Sequence, residues 1–200
     1  MSRNNTPRGF TLFELMVTIS LVVLLLTLSS LSYRNANKRT ELVLTAHQVG
    51  AMGRLAESYA ASAKEFDATT SGENVWGLYF DITDSTKAKK IIMFVDKKIN
   101  GQSVGNQTYD VGEEVKTLDL PRQIAVNMIK KPDPSDPTSW ISAEQAVVLF
   151  TPPDPKTKLW CNIGNTWIST DILRVVLKDD ANQSVKDIRF NFFGLIDVRL

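Results

Sequence analysis

"RGFTLFELMVTISLVVLLL", residues 8–26, sets a basic, glycine-ended tip directly against an apolar run that holds a single acid, Glu14. From Leu15 to Tyr33 the chain then continues for nineteen residues without a charge. As a helix that stretch is about 28 Å long, close to the hydrocarbon thickness of a bilayer. An ionised carboxylate inside hydrocarbon costs roughly 2.5–3.5 kcal/mol at mid-membrane and less near the ends. An acid in this setting therefore calls for a partner. A secretory signal peptide is the rival reading. Such peptides carry a shorter apolar region and a small-residue cleavage site. This run is longer, and no A-x-A site follows it. Charge does not settle the orientation. Arg3 and Arg8 precede the span, and Arg34, Lys38 and Arg39 follow it.

Composition excludes more than it selects. Two hundred residues suit one domain with an appendage, or two small domains. A formal charge of +1 gives no overall bias toward nucleic acid or anionic lipid. The single cysteine, Cys161, cannot form an internal disulfide and reads as a small buried hydrophobe. The single histidine, His47, rules out most metal clusters and weakens every nucleophile–base scheme. The chain reads as no enzyme, with no cofactor and no metal centre.

Beyond Tyr33 the helical period persists. Leu42, Ala46, Val49, Met52, Ala56, Tyr59, Ala63 and Phe66 recur at steps of four and three, with charged residues elsewhere. No proline interrupts residues 10–66, which predicts one continuous helix of about 85 Å. Its outer half is expected to lay this stripe on a C-terminal sheet, with His47 solvated. "DATTSGEN", residues 67–74, ends the helix.

Short β-branched and aromatic runs follow at 75–82, 90–96, 114–120, 123–129, 146–151, 172–178 and 187–193. Ile188, Phe190 and Phe192 alternate toward Gly194, and Ile196, Val198 and Leu200 alternate back, which predicts a terminal hairpin. "KKPDPSDPTSW" (130–140) and "TPPDPKTK" (151–158) read as surface loops, with Trp140, Trp160 and Trp167 flanking them and buried beneath. "DKKINGQ" (96–102) with Asp110, Glu113 and Glu114 is a weak oxygen-ligand pattern for calcium, and an ordinary turn is the simpler reading.

The N-terminal motif (basic residue, glycine, phenylalanine, threonine, then glutamate before a membrane span) resembles the class III signal of type IV pilins and type II secretion pseudopilins. "NVWGLYFD", "IIMFVDKKINGQ", "YDVGEEVKTLDLP" and "IRFNFFGLIDVRL" are more loosely similar to the H-type minor pseudopilin group. The resemblance implies an α+β, pilin-like fold: a long N-terminal α-helix, half membrane-spanning and half amphipathic, packed on a C-terminal antiparallel β-sandwich head. The implied organisation is a prepilin leader at 1–9, a transmembrane half at 10–33, an amphipathic half at 34–67 and a β-rich head at 68–200.

It also implies the chemistry. A prepilin peptidase cuts between Gly9 and Phe10, Phe10 becomes the N-methylated terminus, and Glu14 pairs in assembly with the Phe10 amine of a neighbour. Implied partners are that peptidase, other pilin or pseudopilin subunits through their N-terminal helices, and an inner-membrane assembly platform with its ATPase. The implied location is the cytoplasmic (inner) membrane, single-pass with the head outside, and then a filament in the periplasm or at the cell surface. The alternative is a DNA- or surface-binding minor pilin at the filament tip. Nucleic acid is not favoured, because Arg174, Lys178, Lys186, Arg189 and Arg199 lie among Asp179, Asp180, Asp187 and Asp197.

Overall fold

The computed structural model of the chain describes residues 11–62, 74–96, 106–136, 138–151, 156–181 and 183–199, without the side chains at 31–32, 34–38 and 156. It is α+β, in a pilin-like arrangement. One helix, α1 (Leu12–Ala61), precedes an all-antiparallel β-structure. The chain forms two compact units, residues 1–39 and 40–200. Ala63, Phe66, residues 67–73, the 97–105 segment and Leu200 lie outside the described residues.

In the second unit, β1 (Val75–Asp81), β2 (Lys90–Asp96), β3 (Glu114–Asp119), β6 (Gln145–Thr151), β7 (Lys156–Ile163) and β8 (Thr166–Thr170) make a six-stranded sheet ordered β3-β2-β1-β6-β7-β8. A five-stranded sheet holds β4 (Ile124–Pro132), β5 (Trp140–Ala143), β9 (Ile172–Asp179), β10 (Ser184–Asn191) and β11 (Ile196–Arg199), ordered β11-β10-β9-β4-β5. Alternate residues point to opposite faces of a strand, so each sheet turns one apolar row inward. Trp76, Leu78 and Phe80 from the first sheet share one buried cluster with Leu173, Val175, Leu177, Ile188 and Phe190 from the second. The Phe80 and Phe190 rings meet with centroids 5.8 Å apart.

The outer half of α1 completes this core. Leu42, Ala46, Val49, Met52, Ala56 and Ala60 are buried in the same cluster, which confirms the helical stripe over its described length. Small residues let the helix come close. A Cβ built on Gly53 would stand 2.6 Å from Ile196 Cδ1, whereas one on Gly50 would find its nearest neighbour, Val198 Cγ2, at 3.5 Å. Tyr59 stacks edge-on against Trp76 at 4.8 Å, and Gln123 Nε2 donates to Glu41 Oε2. His47 is exposed and Cys161 is fully buried, both as expected.

Four expectations need correction. The proline-rich loops are shorter than read: Lys130–Pro132 finish β4 and Trp140 opens β5, while Thr151 belongs to β6 and residues 156–158 to β7. Pro132 is tolerated because it closes its strand, where the missing N–H costs little. Strands β5, β7 and β8 were not anticipated. Trp140, Trp160 and Trp167 are half-buried on strands rather than buried under loops. Phe192 lies past the end of β10 and is 47% exposed, because the chain turns one step earlier. In that turn Asn191 Oδ1 accepts the N–H groups of Phe193 and Leu195, and Gly194 takes φ +82°. The terminal hairpin itself is present, with Ile188 opposite Val198 and Phe190 opposite Ile196.

The helix–sheet contact yields a paired prediction. Gly53→Val should destabilise the second unit by about 1–3 kcal/mol through overpacking against Ile196. Gly50→Ala should be neutral or raise stability by up to about 1 kcal/mol, since the space exists and helix propensity improves. Thermal unfolding of the full chain in detergent, followed by circular dichroism, separates the two.

The candidate assembly site at the start of the helix

Thr11 stands immediately before α1, and its side chain does what an N-cap residue does: Oγ1 accepts the backbone N–H of Glu14 at 3.3 Å. The first intrahelical bond, from Leu15 N to Thr11 O, follows at 3.1 Å. Thr11-Leu12-Phe13-Glu14 is thus a capping-box sequence with the acid at the third helical position. That place has an electrostatic consequence. The first turn carries the positive end of the helix dipole, so a carboxylate is better tolerated there than anywhere else along an apolar helix. None of the ion pairs among the described residues involves Glu14.

The helix around it is built to face something apolar. Leu12–Ser30 has a mean hydropathy of 2.3 with none of that window buried, which is long and apolar enough to cross a membrane. Leu12 and Phe13 are 78% and 76% exposed. Three of the hydroxyls in the span are satisfied within the helix. Thr18 Oγ1 donates to Leu15 O, Ser20 Oγ to Met16 O and Thr27 Oγ1 to Leu24 O, each at 2.8–2.9 Å. Such back-bonding removes the need for outside partners, as a hydrocarbon environment demands. Glu14 is the exception: its charge cannot be satisfied by the helix that carries it. Gly9 and Phe10, the expected cleavage pair, lie outside the described residues.

Other sequence candidates are dispersed or locked. His47 is exposed on α1, whereas Cys161 is buried in β7 and burial pushes its thiol up to about 11, against a small opposing effect of Lys131. Among the described residues no group of three potential ligands is placed to hold a metal ion. Arg199 is engaged by Asp197 at 2.6 Å, and Arg174 pairs with Asp187. Arg174 and Arg189 also lie over the Trp140 ring, 5.4 and 5.7 Å from its centroid. These cations are held by their own surroundings and do not form an open phosphate track.

Two buried carboxylates show how environment decides their state. Burial alone would raise Asp81, but hydrogen bonds from the Thr83 hydroxyl and N–H, Tyr79 and Gln145 outweigh it and hold its pKa at about 2. Lys87 completes that network at 3.2 Å. At Asp96 burial dominates and pushes the carboxyl up to about 6, with the negative charges of Glu113 and Asp110 adding to the rise. Backbone N–H groups of Gln107, 2.9 Å from Oδ2, and of Asn106 oppose the shift, and Oδ1 has no hydrogen bond of standard geometry among the described residues. Sequence alone did not single out Asp96 as buried, because that depends on how the 106–113 segment folds over the outer face of the six-stranded sheet.

The comparisons with known proteins bear on the N-terminus. Residues 4–30 match the family model described as the prokaryotic N-terminal methylation motif. No curated protein and no solved structure matches the chain. The match covers the residues around Thr11 and Glu14 and the apolar helix that follows them.

Asp96 supplies a pH test. Its folded pKa lies above its unfolded value of 3.8, so the folded state binds the proton more tightly. Stability should therefore fall as pH rises from about 4 to 6. Asp96→Asn should raise stability at pH 7 by about 1–2 kcal/mol after allowance for solvent screening, and change little at pH 4. Denaturant midpoints of both proteins at the two pH values measure it.

Proposed function

We propose that the chain is a structural, non-catalytic subunit, a minor pilin or pseudopilin of a type IV pilus or a type II secretion pseudopilus. The observation that carries the reading is the coincidence, within residues 4–30, of the methylation motif with a capped helix start, one carboxylate and an exposed apolar span. In this reading prepilin peptidase cuts between Gly9 and Phe10, and the new Phe10 amine is methylated. The helix then waits in the cytoplasmic membrane with the head outside. An assembly platform and its ATPase move it into a filament of like helices, in the periplasm or at the cell surface.

The new amine explains the acid. After cleavage Phe10 precedes Thr11, and its positive charge supplies what the helix itself lacks. In a filament, Glu14 of one subunit pairs with the Phe10 amine of the next. A buried charge left without its partner costs about 3–5 kcal/mol, so misregistered neighbours are rejected. The two-sheet head packed on the amphipathic half supports the H-type minor group within this class. The head's arginines, ion-paired or laid over the Trp140 ring, give the DNA-binding alternative no added support.

Mass spectrometry of the protein from its native membrane tests the processing step. The expected N-terminus is N-methylated Phe10, and Gly9→Val should leave the nine-residue leader attached. A native protein that retains Met1–Gly9 with an unmodified Phe10 contradicts the proposal.

A further inference from the structure

The four tryptophans of the chain divide into two pairs. Trp76 is buried against Tyr59, and Trp140 lies under the guanidinium groups of Arg174 and Arg189. Trp160 and Trp167 are held differently. Among the described residues neither indole makes a hydrogen bond or a ring contact. In β7 and β8, Trp160 stands opposite Ser169 and Asn162 opposite Trp167. Alternation therefore puts these four residues on one face of the six-stranded sheet, with the two indoles as diagonal neighbours. It is the outer face, where both pack against the small cluster of Val75, Phe94, Val147 and Leu149.

A cleft of about 210 Å³ is lined by these indoles and by Asn106, Gln107 and Thr108. The 106–108 wall is fixed by its own bonds. Asp96 Oδ2 accepts the Gln107 N–H, Asn106 Oδ1 accepts the Thr108 N–H, and Asn106 Nδ2 donates to Asp110 Oδ2. Lys158 Nζ donates to Gln107 Oε1 at 3.5 Å. The Thr108 hydroxyl and Gln107 Nε2 are left without a partner among the described residues. Beside the indoles on the sheet, Asn162 is 9% exposed and donates from Nδ2 to Gln145 Oε1 at 2.9 Å. Its Oδ1 and the shielded Trp160 Nε1 have no hydrogen bond, so one acceptor and one donor stand unanswered.

These features define the ligand. No lining residue is charged, which disfavours phosphate, carboxylate and ammonium groups. The unanswered groups require a ligand that both donates and accepts, as a hydroxyl does. The indoles require a flat apolar face. A sugar ring offers C–H groups on its faces and hydroxyls around its rim. We propose that this cleft binds one neutral pyranose, either free or at the end of a glycan. The indoles receive the C–H face, and Thr108 and Gln107 bond the rim hydroxyls. A hydroxyl directed at the sheet answers Trp160 Nε1 and Asn162 Oδ1. The volume lies below the roughly 300–1,000 Å³ of drug-sized sites, so it admits a single ring. Bases of single-stranded nucleic acid also stack on indoles, but that mode needs a cationic groove. Here Lys158 and Asp110 each bond a lining residue, one charge of either sign. The site involves neither Glu14 nor Phe10, so its failure leaves the filament reading untouched.

Titration of the full chain with methyl glycosides of glucose, galactose, mannose and N-acetylglucosamine tests it, in a detergent without a sugar headgroup. The readout is the indole N–H resonances in nitrogen-15 NMR, assigned with Trp140→Phe and Trp160→Phe. At least one glycoside should shift the Trp160 and Trp167 signals saturably at millimolar concentration and leave those of Trp76 and Trp140 in place. Trp167→Ala should weaken that binding about tenfold. Thr108→Val keeps the shape and removes the hydroxyl, so it should weaken binding about fivefold at an unchanged melting temperature. If Trp167→Ala lowers the melting temperature, Thr108→Val decides alone. A trisaccharide ending in the bound sugar separates the two sources: equal affinity marks a glycan end, and exclusion marks a free sugar. No saturable shift with any glycoside, an equal response at Trp140, unchanged affinity in Thr108→Val, or tighter binding of oligothymidine would overturn the proposal.

Discussion

The structure turns on the fact that a charge carried by a lipid-length helix must be answered from outside that helix. Every other polar group along Leu12–Ser30 whose bond is described satisfies itself, threonine and serine hydroxyls folding back on carbonyls one turn away. Glu14 has no such route. The N-terminal dipole moderates its charge by about 0.3–1 kcal/mol, less than the insertion cost of an acid at mid-membrane. Position near the helix start reduces that cost, and a positive partner removes most of the remainder.

The same helix has two parts of different character. Its first part exposes Leu, Ile, Val and Phe side chains on all sides, the pattern of a segment surrounded by apolar material. From Thr40 onward it narrows to one buried stripe, and Gly53 lets β11 approach where a larger residue would meet Ile196. Burying a side chain such as Leu42 contributes about 1.5–3 kcal/mol, so the stripe ties the helix firmly to the sandwich. The side chains of Leu12–Ser30 are exposed, an apolar surface suited to lipid or to other helices.

Much of this was legible in the residues, and the gaps have physical causes. The apolar span, the stripe at steps of four and three and the terminal hairpin are repeated local patterns, and the structure contains each of them over the described residues. Strands β7 and β8 were missed because "KTKLWCNIGNTWIST" alternates poorly, although its Gly164-Asn165 pair between β-rich runs is a hairpin signal. The proline-rich stretches masked β5 by suggesting loop throughout. In β4 a bulge between Val126 and Met128 leaves Asn127 and Met128 both exposed, which spoils the alternation a sequence reading depends on. At the N-terminus, the glutamate and glycine of the motif were plain, but the capping role of Thr11 required coordinates. Asp96 was beyond reach of sequence, since burial by a distant segment leaves no local pattern.

The most direct measurement compares Glu14→Ala with the native chain for both membrane insertion and incorporation into filaments, in cells that supply the remaining assembly machinery. The account predicts unchanged insertion and N-terminal processing, with incorporation reduced at least tenfold and not restored by Glu14→Gln, which keeps the shape but not the charge. Incorporation of Glu14→Ala at the native level would contradict it.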